Sequence, residues 1–221
     1  MNYDSVFEEH FPFWKELNKS DKEDLLNNTI LVKFEKEQPV HSNLECSGLY
    51  IIKYGKLRLY IRSEEGKEIT LYRLSAGEMC MLSASCVLQS ITFDVYIEAE
   101  VETECYMISG VAFNRVSEKV PAAKIFALEA AVSRFADVMW IMQQIVFMNQ
   151  DKRLAIFLLE EIEAKEEQIV IMTHEQIARH LGTAREVVSR MLKHLASDGV
   201  LEVNRKGIRI TDIKKLRNLA Y

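Results

Sequence analysis

From Ile30 to about Ser109 the apolar residues come in short runs broken by glycine and charge. Leu57, Leu59 and Ile61 alternate with polar Arg58 and Arg62, and Ile69, Leu71 and Tyr72 suit the facing strand. Glu64-Glu65-Gly66-Lys67 between them is a hairpin turn. Gly55, Gly66 and Gly77 recur at intervals of eleven, and Thr92 to Glu98 and Glu102 to Ile108 supply later strands. Short strands at this spacing predict a sandwich or roll. Ahead of them, residues 1–28 carry a helical pattern. Phe7, Phe11, Phe13, Trp14 and Leu17 form its apolar face, read as core packing, and Ser20-x-x-Glu23 reads as a capping box. After the strands, Asn114 to Val120 is a transition, and Pro121 suits the first turn of a long helix. On that helix Leu128, Val132, Phe135, Met139, Met142 and Val146 step by four and three, with Ala131, Val138 and Ile145 widening the stripe. Composition leaves two readings of the stripe open: a coiled-coil seam, or the buried face of a globular helix.

A second helical pattern occupies Thr173 to Val203. Thr173 and Gln176 form a capping box, and Ile177, Ala178 and Leu181 give the first helix its apolar face. Gly182 ends it, as a residue that takes positive φ cheaply. Thr183 starts the second helix, with Glu186 at the reciprocal position of another capping box. Val187, Val188, Met191, Leu192 and Leu195 fall on one side, and Arg185, Glu186, Ser189, Arg190 and Lys193 on the other. Asp198-Gly199 closes the helix. This is a helix-turn-helix whose polar face suits a major groove: an arginine fork meets a guanine edge, a carboxylate accepts from a cytosine amino group, and serine serves bases or phosphates. The bland alternative is a helical hairpin with a solvated charged face.

The segment GTAREVVSRML, with the strand hairpin after it, resembles the recognition segment of the Crp/Fnr family of bacterial transcription regulators. In that family a small β-wing follows the helix-turn-helix. Here it falls on Val200 to Val203, the turn Asn204-Arg205-Lys206-Gly207, and Ile208 to Ile210. Glu186, Ser189 and Arg190 match the family's base-reading pattern, and Arg185 matches the extra arginine of the cyclic-AMP branch. LYIIKYGKLRLYI resembles the family's β-roll. The resemblance implies an α+β chain in three parts: an N-terminal double-stranded β-roll of the cyclic-nucleotide-binding type with helices ahead of it (1–120), a long dimerisation helix (121–150) and a C-terminal winged helix-turn-helix (151–221). It also implies a homodimer through the stripe on the long helix, a palindromic DNA site with a G-A step in each half, and contact with RNA polymerase. Asn149-Gln150-Asp151 marks a hinge. Arg153 to Ala164 then packs under the DNA-binding domain through Leu154, Ile156, Phe157, Leu158 and Ile162. The DNA-contact candidates are Thr173, Thr183, Arg185, Glu186, Ser189, Arg190, Lys193, Arg205 and Lys206.

Charge supports this division. The net charge is −5, but from Thr173 onward ten Lys/Arg stand against five Asp/Glu, which leaves −10 for residues 1–172. The basic part is the part with the helix-turn-helix, as phosphate neutralisation requires. At 221 residues, 48% hydrophobic and 28% charged, the chain is globular and long enough for two domains. MNYDSVFEEH is no signal sequence, and no apolar run approaches the ~20 residues that span a bilayer, so a cytoplasmic protein is expected.

The effector is the open question. Family members that bind cyclic nucleotides hold the phosphate with a glycine-glutamate pair and a later arginine. This chain has Gly77-Glu78 but no Lys or Arg from Glu78 to Glu104, and Phe93-Asp94 stands where the arginine should fall. A carboxylate there repels a phosphate, which argues against cyclic AMP. Four cysteines, Cys46, Cys80, Cys86 and Cys105, match in number the ligands of the family's iron–sulfur branch, though none lies near the N-terminus as that branch requires. The competing reading makes them small buried apolar residues. Haem needs an axial ligand, and only His10 and His41 lie outside the C-terminal part. His174, His180 and His194 read as solvated or phosphate-touching. A cupin-like enzyme needs two or three histidines and a carboxylate inside the barrel, and the β-region has His41 alone. No enzyme is expected.

Overall fold

The computed structural model describes residues 3–42, 48–81, 95–165 and 168–221. In chain order they form α1 (Asp4–His10), a 3-10 turn (Pro12–Glu16), α2 (Lys19–Asn27), β1 (Thr29–Phe34), β2 (Pro39–Ser42), β3 (Leu49–Tyr54), β4 (Lys56–Arg62), β5 (Glu68–Ser75), β6 (Met79–Cys80), β7 (Tyr96–Ala99) and β8 (Thr103–Ile108). There follow α3 (Gly110–Lys119), α4 (Pro121–Phe147), α5 (Gln150–Lys165), β9 (Ile169–Val170), α6 (His174–Leu181), α7 (Arg185–Ser197), β10 (Leu201–Asn204), β11 (Gly207–Ile210) and α8 (Ile213–Ala220). Two compact units result, residues 1–61 with 71–138, and residues 62–70 with 139–221.

The first unit is the expected β-roll. One four-stranded sheet has the order β1-β8-β3-β6 and the other β2-β7-β4-β5. Tyr50, Ile52, Leu57, Leu59, Leu74, Ile97 and Cys105 from the two sheets share one core. Gly55 makes the β3–β4 turn at φ +94, where a Cβ would lie 2.6 Å from the Glu102 carbonyl oxygen, so no other residue fits. The expected alternation fails at Arg58. It is 2% exposed, directly opposite Glu98 in the β4–β7 register, and its Nη1 donates to Glu98 Oε1 at 2.8 Å. The guanidinium also lies over the Tyr60 ring at 4.3 Å. Leu57 through Tyr60 are all buried, so both faces of this part of β4 are covered and a cation there must be paired.

The N-terminal aromatics pack as expected. Phe7, Phe11, Phe13 and Trp14 are buried, and Phe11 and Phe13 reach Phe113 of α3 and Phe126 of α4 at ring-centroid distances of 5.5–6.2 Å. Two local expectations fail. The cap of α2 is Asn18, whose side chain accepts from Asp21 N–H, so Ser20 lies inside the helix and makes no capping box. The stretch read as a transition is α3, which begins earlier, after Ser109. Ala112, Phe113 and Val116 are buried there at helical spacing, and that burial holds the helix.

In α4 the seam candidates Leu128, Val132, Phe135, Met139, Met142 and Val146 are all exposed on the single chain, Val132 by 67% and Phe135 by 65%. Val138 departs from the expected stripe and packs against the roll core.

In the second unit α5 carries the predicted apolar residues Leu154, Ile156, Phe157, Leu158 and Ile162. All are buried with Val188, Leu192 and Leu195 of α7. A three-stranded sheet of order β10-β11-β9 forms the wing; its third strand has only two residues, too short to show a period. Asp212 caps α8 by accepting from Lys215 N–H, and Leu216 and Ala220 bury that helix.

Candidate nucleic-acid interface

The helix-turn-helix is built from local devices. Thr173 Oγ1 accepts from Gln176 N–H at 3.1 Å, and Gln176 Oε1 accepts from Thr173 N–H at 2.8 Å, the reciprocal box that the sequence predicts. Gly182 ends α6 in the left-handed region at φ +65. The second predicted box is absent. Thr183 N–H donates to the Ala178 carbonyl at 3.0 Å and so finishes α6, and Ala184 is the N-cap of α7 with no side-chain bond. With the helix starting one residue late, Glu186 is one position short of the place a box requires.

Beneath the turn, Arg153 of α5 is 5% exposed and its Nη2 donates to the Leu181 carbonyl at 2.6 Å. A cation at the last turn of α6 meets the negative end of its dipole. His180 is not solvated as the sequence reading expects. It is 9% exposed, its ring stacks on Phe157 at 5.2 Å, and Nδ1 lies 2.8 Å from Thr70 Oγ1. Arg179 Nε donates to Glu68 Oε2 at 2.7 Å, so residues 62–70 anchor on α6 within this unit. Nothing in the periodicity could announce a contact across more than a hundred residues.

The recognition side is open. Arg185, Glu186, Ser189, Arg190 and Lys193 of α7 are exposed, while Val188, Met191, Leu192 and Leu195 are buried and fix the helix's rotation. Arg205 and Lys206 stand exposed at the wing tip, where Asn204 Oδ1 accepts from Lys206 N–H at 2.8 Å and shapes the turn. Thr173 is exposed and Thr183 half-buried. Among the described residues none of Arg185, Arg190, Lys193, Arg205 and Lys206 has an ion-pair partner. Two other cations of this unit are engaged, Arg179 by Glu68 and Arg217 by Glu163.

In the roll, Gly77 turns at φ +85 and Glu78 Oε2 accepts from Ser75 N–H at 2.8 Å. Phe93-Asp94, Cys46, Cys86 and the His41 side chain lie outside the described residues. Cys80 and Cys105 are buried free thiols, and burial, with Cys80 nearby, pushes the Cys105 thiol up to about 12. A thiolate ligand is correspondingly hard to form there. Among the described residues no three His, Cys, Asp or Glu side chains converge as a metal site would need. His10 Nδ1 is spent on the Val6 carbonyl at 2.9 Å. The sequence reading missed Tyr72 and Arg134. The guanidinium of Arg134 lies 5.0 Å from the Tyr72 ring centre, 3.0 Å from Asp137 and 3.5 Å from Glu78. The only signal was an arginine on α4 at helical spacing from Ala131 and Val138, at the edge of the apolar stripe.

Comparison with known proteins agrees with this architecture. Residues 31–119 match the cyclic nucleotide-binding domain model and residues 152–219 the Crp-like helix-turn-helix domain model. A crystal structure from Eubacterium rectale, assigned to the Crp/Fnr family of transcriptional regulators, superposes with a TM-score of 0.91 at 41% identity, covering 96% of this chain and 98% of that one. The anaerobic regulatory protein of Pasteurella multocida is 27% identical over 213 residues, 89% of this chain and 75% of that protein. The cyclic AMP receptor protein of Thermus thermophilus is 26% identical over 175 residues, 78% of this chain and 79% of that protein. Among the described residues no helix is long and apolar enough to cross a membrane. With both domains matched and a 41% identical relative aligned nearly end to end, the chain belongs to the Crp/Fnr family of transcription regulators.

Proposed function

We propose that the protein works as a homodimer on a palindromic DNA site and that an effector held in the β-roll controls it. The observation that carries the DNA reading is the set of uncommitted cations, Arg185, Arg190 and Lys193 on one face of α7 with Arg205 and Lys206 on the wing. Unpaired cations on a groove-sized helix neutralise phosphates and release counterions. Glu186, Ser189 and Arg190 then read base edges, and Thr173 and Thr183 serve the backbone. The exposed apolar seam of α4 supports the dimer, because a solvated row of valine, phenylalanine and methionine is covered by a second copy of itself. RNA polymerase is the further partner that the family implies, and the cytoplasm the place of action. The effector is not cyclic AMP, since the phosphate arginine is missing from the sequence between Glu78 and Glu104.

Mobility shifts on selected and random DNA at rising salt test the reading. Affinity falls steeply with salt on both. Arg190→Ala weakens the selected site by about 1–3 kcal/mol and leaves random DNA nearly unchanged. Equal loss on both sequences removes Arg190 from the base readers.

A further inference from the structure

Tyr72 of β5 is 9% exposed, and its hydroxyl has no hydrogen-bond partner among the described residues. Leaving a buried hydroxyl unpaired carries a penalty that phenylalanine in the same place avoids. Arg153 and Gln150 also hold one unpaired atom each, but Tyr72 has no other side-chain polar atom to bond. The defect lies in the roll core, with Leu71, Leu74, Cys80, Val95 and Ile97 in the same cluster and Val138 of α4 against it. Burial raises the Tyr72 ionisation well above the usual phenol range, so the group is a neutral O–H donor at physiological pH.

The charges beside it define what the donor is for. Arg134 covers the Tyr72 ring, yet its cation is already met by Asp137 at 3.0 Å and Glu78 at 3.5 Å. The guanidinium is thereby already paired. An entering anion has to compete with carboxylates already on that cation, while the apolar side chains of the cluster favour an uncharged body. Resting on the effector-controlled reading above, we propose that the roll takes an uncharged, mainly apolar small molecule whose oxygen acceptor, of the carbonyl kind, receives the Tyr72 O–H.

The test uses the full chain, its Tyr72→Phe variant and three probes of one size: acetophenone, ethylbenzene and benzoate. The variant melts about 2–4 °C higher than the wild type, because an unpaired buried hydroxyl has gone. Wild type binds acetophenone about five- to tenfold more tightly than ethylbenzene, and the variant binds the two equally. Benzoate binds wild type more weakly than acetophenone. A lower melting temperature for Tyr72→Phe overturns the proposal, since the hydroxyl is then a structural donor. Benzoate as the tightest probe overturns it in favour of an anion site on Arg134, and failure of acetophenone to exceed ethylbenzene removes the donor role. Mobility shifts on the same preparations separate the two levels. Wild type with no salt-dependent binding even to random DNA refutes the regulator reading, while intact DNA binding with a failed probe series refutes the ligand class alone.

Discussion

Single side chains carry the charge balance of the roll. Glu104 is 4% exposed and accepts from Lys53 Nζ at 2.5 Å, with Lys33 Nζ at 3.2 Å. The Lys53 hydrogen bond, and then that of Lys33, hold its carboxyl below its ordinary 4.5 against the opposing effect of burial. A carboxyl depressed in the folded state stabilises it fully above about 4.5 and loses that contribution as pH falls through the depressed value. Glu104→Gln therefore lowers the melting temperature at pH 7, and the gap from wild type closes in acid below that point. A gap independent of pH would show that the carboxylate's charge is not what the lysines hold. Arg58 and Glu98 form a different kind of pair, buried on both sides, and breaking such a pair is strongly destabilising.

At the scale of elements the turn of the helix-turn-helix is sterically constrained. Gly182 has φ +65, and a Cβ there would run into the Ile69 side chain. Left-handed backbone costs about 1–2 kcal/mol for a residue with a Cβ. Gly66 shares the conformation at φ +81 but has open space around it. Gly182→Ala should thus lower the melting temperature by more than Gly66→Ala does, and equal losses would leave the Ile69 contact without weight. What the sequence could show follows the same division between local and distant causes. The capping box at Thr173, the glycine at 182 and the apolar stripe on α4 are periodic or near-neighbour signals and were readable. Thr183 and Ser20 misled because a capping pattern says nothing of the register at which a helix starts, which the Thr183 bond to Ala178 and the Asn18 cap decide. The burial of Arg58 and His180 depends on Glu98 and Thr70, partners 40 and 110 residues away, and no local pattern carries them.

For the whole molecule the decisive quantity is whether the exposed face of α4 is covered by a second copy. Val132 and Phe135 are exposed by 67% and 65%, and Leu128, Met142 and Val146 by more than half, so the row is a solvated apolar strip on a lone chain. Burial of such side chains is worth roughly 1.5–3 kcal/mol each, and two-fold pairing buries every one of them twice. Phe135→Glu places two carboxylates at the symmetric position of the seam, where like charges repel in a desolvated contact. The fold of each chain has no stake in that side chain, which is exposed and belongs to none of the three buried clusters. The variant therefore keeps the far-ultraviolet circular dichroism of the parent and, on the proposed two-fold pairing, sediments as a monomer where the parent sediments as a dimer. Its affinity for the full palindrome falls to that of a single half-site, because linked half-sites gain from effective concentration only while the two recognition helices are joined. A monomeric variant with undiminished affinity for the palindrome would detach DNA recognition from the seam, and a variant that stays dimeric would move the two-fold contact elsewhere on the chain.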